Sequence, residues 1–301
     1  MSLLVTGSIG IDDVETPLGR VENVLGGSSI YFALAASLFS PVRLLGAVGE
    51  DFDLQRLRPL TDKGVDIRGV EVRRGSRTFR WHGRYIGTMN EAETVGVELN
   101  VLAERGAPIP PEFADSRFVF LANAHPALQH DFARRLSQAE LLVCDTMNIW
   151  IEGQPDKLRE LLAVVHGLVL NEGEARLLTQ RTNLVTAGRD ILKLGPRFVI
   201  IKKGEPGSLL VSAEGLALIP PYPTEKVVDP TGCGDSFAGA IMGYLAAQGR
   251  FDVPALRSAM ARGSVVASFV VESFSIDALC RVTPADVAAR LSTLREIARF
   301  E

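Results

Sequence analysis

Seven consecutive residues in the last third of the chain combine two glycines with two carboxylates. They are Asp229-Pro230-Thr231-Gly232-Cys233-Gly234-Asp235, and a helix-like run follows from Ser236 to Gln248. Glycine lets the backbone turn tightly and approach a ligand closely. The first N–H groups of the helix have no intrahelical partners, so together with the helix dipole they form an anion site. A carboxylate beside such a site predicts a base, here Asp235, that takes a proton from a hydroxyl attacking a phosphoryl group.

The common nucleotide-binding signatures are absent from the sequence. It contains no Gly-Lys dipeptide and therefore no Walker-type loop. A G-x-G-x-x-G fingerprint starting at Gly232 would need its third glycine where Phe237 stands. These features argue against a P-loop protein and against an oxidoreductase that binds a dinucleotide.

Short apolar runs alternate with helical patterns along most of the chain. The strand-like runs are Leu3–Thr6, Val42–Val48, Phe118–Ala122, Leu141–Asp145, Leu168–Asn171 and Phe198–Lys202. Alternation of this kind predicts a parallel sheet covered by helices on both faces. We therefore expect one domain, residues 1–301, folded as a three-layer α/β sandwich with a mainly parallel central sheet.

One part of the chain breaks this alternation. Residues from about 13–24 and 68–103 look like strands without helices between them. Within this part, Phe79, Trp81 and Tyr85 share one face of a strand pattern. The pattern predicts a small separate β-sheet, either a lid over a cleft or an ordinary extension of the main sheet. Its exposed edge could also pair with a second subunit in a homodimer.

The amino-acid composition argues against nucleic acids and membranes as partners of this protein. The chain has 301 residues, 47% of them apolar, and its 32 basic and 36 acidic residues give a net charge of −4. No basic surplus is available to neutralise nucleic-acid phosphates, and no apolar stretch is long enough to span a membrane. The three cysteines form no disulfide or metal pattern. With no secretory signal at the start of the sequence, we expect a cytoplasmic protein.

The segment from Val228 to Ala240 resembles the C-terminal signature of the ribokinase-like (PfkB) carbohydrate and nucleoside kinases. Five further segments resemble motifs of that family and follow in its order: Gly7–Asp12, Gly26-Gly27, Gly46–Phe52, Asn171–Glu174 and Lys203–Gly207. The resemblance implies a kinase that uses ATP and Mg²⁺, and in many family members also a monovalent cation such as K⁺.

The resemblance also implies roles for individual residues on the nucleotide side. Asp235 is the expected general base, held in its charged form by the helix dipole, and the backbone of Gly232, Cys233 and Gly234 is the expected anion hole, with Cys233 as a packing residue. The expected nucleotide-binding residues are Asn171, Lys203, Gly204 and Gly207. Glu174 is expected to bind Mg²⁺, directly or through water. Asp229 and Thr231 are expected to hold a monovalent cation. For Asp229, the alternative is that it only fixes the turn.

On the acceptor side the resemblance implies Asp12, Gly26, Gly27, Tyr31 and Asn123 as substrate-binding residues, with Asp12 at the end of the first strand. Tyr31 stands where sugar kinases of this family usually carry Asn. One alternative is that Tyr31 stacks on a larger acceptor together with aromatic residues of the lid. The other is that these aromatic residues only pack the lid against the core. The expected activity is phosphorylation of a small sugar. The alternatives are a nucleoside kinase and a catalytically silent binding protein of the same fold.

Overall fold

The computed structural model describes residues 2–90 and 92–299. Its strands, in chain order, are β1 (Leu3–Thr6), β2 (Gly10–Thr16), β3 (Gly19–Gly26), β4 (Val42–Gly49), β5 (Asp66–Arg73), β6 (Phe79–Tyr85), β7 (Ala92–Glu98), β8 (Phe118–Leu121), β9 (Leu141–Cys144), β10 (Gly167–Asn171), β11 (Phe198–Lys202), β12 (Ser208–Ser212) and β13 (Gly215–Ile219).

The helices cover both faces of the larger of two sheets. They are α1 (Ser28–Ser37), α2 (Arg58–Asp62), α3 (Pro126–Arg135), α4 (Asn148–Gly153), α5 (Pro155–Leu162), α6 (Glu172–Thr179), α7 (Leu184–Leu192), α8 (Cys233–Gln248), α9 (Val253–Val270), α10 (Asp277–Arg281) and α11 (Pro284–Ile297). The sequence patterns did not predict α4, α5, α7 and α10. None of the helices in the described residues has the length and hydropathy to cross a membrane.

The large sheet has nine strands in the order β13-β12-β11-β10-β9-β8-β1-β4-β5. Neighbours from β5 through β11 run parallel, and β12 and β13 add an antiparallel hairpin at one edge. One face packs against α1, α8 and α9, and the other against α3, α5, α6 and α7. The predicted three-layer α/β sandwich with a mainly parallel sheet is confirmed.

The smaller sheet has four strands in the order β3-β2-β6-β7 and stands apart from the large one. We expected all strands within residues 68–103 to belong to this sheet. Instead, β5 pairs with β4 in the large sheet, and only β6 and β7 of that segment belong to the small one. All seven residues of its edge strand β7 are exposed. Pairing of this edge with a second subunit stays a prediction.

The parallel strands end together at one edge of the large sheet. Asn171 and Lys202 are the last residues of β10 and β11 and lie side by side in register. Lys202 lies close to Gly234 at the start of α8, and Tyr85 of β6 contacts Thr231 in the loop before that helix. The fold therefore brings the motif segments to one cleft, as expected for the carboxyl ends of strands in an open α/β sheet.

Candidate active site

The loop before α8 has the geometry of an anion site. Gly232 is the N-cap of α8, with φ of 74°, a left-handed conformation that glycine adopts without strain. The N–H of Cys233 donates to the carbonyl of Pro230 at 3.1 Å. Within residues 2–90 and 92–299, the N–H groups of Gly232 and Gly234 have no protein acceptor. Two of the three expected backbone donors are therefore available to a ligand, and that of Cys233 is engaged in the turn.

The Cys233 side chain packs as expected. Its thiol lies 3.7 Å from the carbonyl of Ala267, and burial raises the pKa of the thiol well above its usual range. A neutral, buried thiol is a poor nucleophile. The contacts therefore fit a packing role.

Tyr31 lies beneath the anion loop. Its side chain is 1% exposed, and a Cβ added to Gly232 would overlap the Tyr31 ring. The ring supports the loop from below and offers no face to an acceptor, so the stacking role considered for Tyr31 is wrong. Its hydroxyl lies near the side chain of Ser275, and burial raises its pKa above the usual value for tyrosine.

Asp235 lies in the first turn of α8. Burial raises the pKa of its carboxyl to about 6, and the charge of Lys202 partly offsets this rise. The sequence had led us to expect the helix dipole to favour the charged form. Desolvation outweighs the dipole here because the carboxylate loses much of its contact with water. At neutral pH Asp235 is still largely ionised, and its pKa suits a base that works near pH 7.

Lys202 belongs to this site although the sequence analysis assigned the role to Lys203. A Cβ added to Gly234 would lie 2.7 Å from Lys202 Nζ. The side chain of Lys203 instead lines a groove of about 530 Å³ on the other face of the large sheet, beside Arg176 and Leu184. Strand alternation explains the difference, because consecutive residues point to opposite faces. The spacing K-x-G-x-x-G, counted from Lys202, would have found the right residue.

The turn that follows β11 contains the two expected glycines. Gly204 and Gly207 have φ of 64° and 87°, and the Gly207 N–H donates to the Gly204 carbonyl at 2.9 Å. A Cβ at Gly207 would overlap the carbonyl of Ile219 on β13. Gly207 is therefore required by the hairpin itself, whereas Gly204 is exposed at the cleft.

Asn171 and Glu174 form a capping box at the start of α6. The Asn171 side chain accepts from the Glu174 N–H at 2.8 Å, and Glu174 accepts from the Asn171 N–H at 2.7 Å. Glu174 is 7% exposed, and burial raises its pKa, with Lys202 opposing the rise. Asn171 therefore acts as the N-cap of α6. Among the described residues, no group of three or more His, Cys, Asp and Glu side chains is placed to hold a metal.

Asp229 fixes the turn that precedes the anion loop. It is fully buried and accepts hydrogen bonds from the N–H groups of Thr231 at 2.9 Å and Ser275 at 3.1 Å. The Thr231 hydroxyl lies 3.3 Å from the hydroxyl of Tyr85 on β6. These contacts support the turn-fixing role of Asp229, and they tie the small sheet directly to the loop.

Asp12 lies within β2 of the small sheet, so its expected place at the end of the first strand is wrong. Its side chain is 3% exposed, and Oδ1 has no partner within the described residues. Burial raises its pKa to about 7, and the charges of Asp229 and Asp235 add to the rise. The neighbouring Asp13 turns away and accepts from the Asn23 N–H at 2.7 Å. Asp12 is the one of the two whose carboxyl group lies near those of Asp229 and Asp235.

The glycine pair shapes the backbone beside Asp12. A Cβ added to Gly26 would overlap the Asp12 carboxylate. Gly27 has φ of 100° and is the N-cap of α1, where an added Cβ would lie 2.5 Å from the carbonyl of Ser8. Both positions therefore require glycine. The close approach at Gly26 keeps one face of the carboxylate against the backbone.

Two polar residues follow neighbouring strands of the large sheet. Asn123, after β8, accepts from the indole N–H of Trp150 at 2.8 Å and donates to Met147 Sδ at 2.6 Å, so both ends of its side chain have partners. Asp145, after β9, is 7% exposed and its Oδ1 has no partner in the described part of the chain. Burial and the charge of Asp235 raise its pKa, while Lys202 lowers it.

The sequence pattern of the pfkB family of carbohydrate kinases matches residues 4–281. A cytidine kinase from Thermococcus kodakarensis is 31% identical over 258 residues, which is 83% of this chain and 89% of that protein. A nucleoside kinase from Methanothermobacter thermautotrophicus is 27% identical over 269 residues, which is 86% of this chain and 82% of the relative.

Solved structures have the same fold. Arabidopsis thaliana ribokinase complexed with ribose and ATP superimposes with a TM-score of 0.79 at 19% identity, over 96% of this chain and 98% of that one. A Burkholderia thailandensis nucleoside kinase in complex with inosine superimposes with a TM-score of 0.78 at 21% identity, over 97% of this chain and 98% of that one. The match to the family pattern over residues 4–281 and the similarity to the cytidine kinase show that the chain belongs to the pfkB family of carbohydrate kinases.

Proposed function

We propose that this protein transfers the γ-phosphoryl group of ATP to a hydroxyl of a nucleoside. The observation that carries the proposal is the convergence of Asp12 and Asp235, one on the small sheet and one at the start of α8. Each lies close enough that the charge of Asp235 raises the pKa of Asp12. An acceptor held by the first carboxylate would present its hydroxyl to the second.

The chemistry follows from this arrangement. Asp235 accepts the proton of the acceptor hydroxyl as the new oxygen–phosphorus bond forms. The bond between the γ-phosphorus and the bridging oxygen of ATP breaks, and ADP leaves. The free N–H groups of Gly232 and Gly234 are placed to stabilise the negative charge on the transferred group. Asp12 orients the acceptor by accepting hydrogen bonds from its hydroxyls.

The residues present are compatible with Mg²⁺ bound mainly through ATP and water. Glu174 is the carboxylate at the carboxyl end of β10 that lies near Lys202, and Mg²⁺ is usually held by one or two carboxylates together with phosphates and waters. When bound, Mg²⁺ would neutralise charge on the ATP phosphates. Glu174, Asn171 and Gly204 would line that part of the cleft. Nothing in the contacts of Asp229 and Thr231 supports the K⁺ expected from the family resemblance.

The acceptor class rests on similarity to the cytidine kinase, which extends over 83% of this chain. A free sugar is the second candidate, and the burial of Tyr31 favours it. Tyr31 and Tyr85 are 1% and 8% exposed, so neither offers an open face for stacking on a base. A nucleoside would need its base held by groups other than these two rings.

A panel of nucleosides and free sugars, scored by ADP release in the presence of ATP and Mg²⁺, tests the proposal. We expect turnover with a nucleoside. Turnover with free sugars alone would show that the acceptor is a sugar and not a nucleoside. Binding of ATP and an acceptor without any product would identify a silent binding protein and contradict the proposal.

The variant Asp235→Asn tests the base. It should lower kcat at least a thousandfold, by an order-of-magnitude argument from the loss of both proton transfer and acceptor alignment. Binding of ADP, measured by calorimetry, should stay within about threefold, because Asn keeps the shape of the side chain. An Asp235→Asn enzyme with turnover close to that of the unmodified protein would show that another group takes the proton.

A further inference from the structure

The first observation concerns a groove on the face of the large sheet that carries α6 and α7. It has a volume of about 530 Å³ and is bordered by α6, by the start of α7 and by the β12–β13 hairpin, so we call it the hairpin groove. Most of its lining is apolar, and of the described residues that line it none is acidic. Small-molecule sites in proteins have this size and this composition, with an apolar lining and a few polar groups. The hairpin groove is therefore large enough to hold an organic molecule.

The second observation concerns the apolar wall of the hairpin groove. In the antiparallel pair of β12 and β13, Leu218 lies opposite Leu209. Leu209 packs into the core on the α7 side of the sheet, whereas Ala217 packs into the core on the α8 side. Strand alternation therefore places Leu216 and Leu218 on the α7 side. Both line the groove and are 48% and 69% exposed, so this wall offers open apolar surface to a ligand.

The third observation concerns the two cations of the groove, Arg176 on α6 and Lys203 directly after β11. Arg176 pairs with Glu172 through Nη2 at 3.0 Å, and because both side chains are partly exposed the pair contributes little to stability. Nη1 of Arg176 is buried and has no hydrogen-bond partner in the described part of the chain. No carboxylate of the described residues lies within 4.0 Å of Lys203 Nζ. In a chain with a net charge of −4, two cations in a groove without acidic lining favour an anion.

We propose that the hairpin groove is a binding site for an organic phosphate. The phosphate is held by Arg176 and Lys203, and the apolar part of the molecule lies on Leu216 and Leu218. Phosphate suits these two cations because arginine binds it with parallel N–H donors and lysine binds it as a point charge. The inference goes beyond the proposed function, since no residue that the proposed mechanism uses lines this groove.

Naphthyl phosphate is a suitable probe, because it joins a phosphate to an apolar ring system and is fluorescent. It is titrated, by fluorescence and by calorimetry, into the protein saturated with ADP and Mg²⁺, so that the proposed nucleotide site is occupied. We expect saturable binding that is at least about tenfold tighter than that of naphthol or of inorganic phosphate. Each of these two molecules has only one of the parts for which the groove offers contacts.

The variants Arg176→Gln and Lys203→Gln test the two cations. Each should weaken the binding of naphthyl phosphate about tenfold, the effect of losing one charge-assisted hydrogen bond. Arg181→Gln is the matched control, because Arg181 pairs with Asp190 at 2.8 Å and does not line the groove, although it lies beside Thr182, which does. Binding to this control should stay within about twofold, and melting temperatures would verify that all three variants fold.

The variant Leu218→Ser tests the apolar wall and decides the proposal if a cation variant does not fold. It should weaken naphthyl phosphate about fivefold and leave the affinity for inorganic phosphate unchanged. Another possible occupant of the groove is a second copy of the chain, because β13 is the edge strand of the large sheet. Sedimentation measures this, and a dimer that Leu218→Ser dissociates would overturn the proposal.

Three binding results contradict the proposal. They are unchanged affinity in both cation variants, an equal loss in Arg181→Gln, and naphthol that binds as tightly as naphthyl phosphate. A lack of saturable binding at roughly millimolar probe would also overturn it. None of these measurements depends on turnover, so failure of the acceptor panel leaves this site in place, and failure of this site leaves the proposed phosphoryl transfer in place.

Discussion

The two sides of the cleft are built in different ways. On one side, the loop before α8 comes from seven consecutive residues, and its shape is fixed by Asp229 and by the ring of Tyr31 beneath it. On the other side, the small sheet assembles Asp12, Gly26 and Tyr85 from three separate strands. Under the proposed function, phosphoryl transfer thus depends on one short segment, whereas acceptor binding depends on strand pairing between distant parts of the chain.

This difference can be tested with one glycine from each side. Gly232→Ala places a methyl group against the Tyr31 ring in a left-handed conformation, so the loop must shift and kcat should fall about a hundredfold. Gly26→Ala displaces the Asp12 carboxylate, so it should act mainly through KM for the acceptor, by about tenfold to a hundredfold. Steady-state kinetics with varied acceptor would separate the two effects.

A control for this pair is Gly153→Ala at the end of α4, where an added methyl group meets no atom within 4 Å. Its kcat and KM should match those of the unmodified enzyme. If Gly26→Ala lowered kcat and left KM unchanged, the division between a chemical side and an acceptor side would be wrong.

The pH dependence of kcat/KM tests the coupling between the two sides. Asp235 and Asp12 have raised pKa values of about 6 and about 7, and both act as acceptors of protons or hydrogen bonds. Activity should therefore rise with pH from about 5 to about 8 and then level off, with apparent pKa values that belong to the pair. In Asp12→Asn, only the rise in activity with the lower pKa, that of Asp235, should remain. A kcat/KM that does not change over this pH range would contradict the roles assigned to Asp12 and Asp235.

The raised pKa of Asp12 also affects stability, which should fall with rising pH whereas activity should rise. The folded protein retains a proton that the unfolded chain, with an Asp pKa of 3.8, has already released. The free energy of unfolding should therefore fall as pH rises from about 4 to about 7. In Asp12→Asn this part of the pH dependence should disappear, which denaturant titrations at several pH values would measure.

The smallest expected effect concerns the contact that joins the two sides. Tyr85→Phe removes the 3.3 Å hydrogen bond between the hydroxyls of Tyr85 and Thr231. Loss of one neutral hydrogen bond costs about 1 kcal/mol, which corresponds to roughly a fivefold rise in KM for the acceptor. A change of several orders of magnitude would show that the Tyr85 hydroxyl takes part in the chemistry.

The sequence was informative wherever a function depends on consecutive residues. The left-handed glycine before α8, the position of Asp235 in the first turn of that helix, the start of α6 at Asn171 and the parallel sheet all follow from local patterns of glycines, caps and apolar runs. Lys202 was missed by a shift of one residue in matching a motif, although strand alternation decides which of the two lysines faces α8.

The misplaced residues have a common physical cause. The position of Asp12 within β2, the membership of β5 in the large sheet and the burial of Tyr31 depend on which strands pair and on what packs above a side chain. These are contacts between residues far apart in sequence, and no local pattern reports them. The raised pKa of Asp235 is of the same kind, because desolvation by the surrounding protein outweighs the local helix dipole.

The separation of the small sheet has a consequence for how the acceptor site can change. Within the described residues, β2, β3, β6 and β7 pair with one another and with no strand of the large sheet. Under the proposed function, substitutions in these strands are therefore free to change the acceptor site while the loop before α8 keeps its structure. The contact between Tyr85 on β6 and Thr231 in the loop before α8 marks the place where that freedom ends.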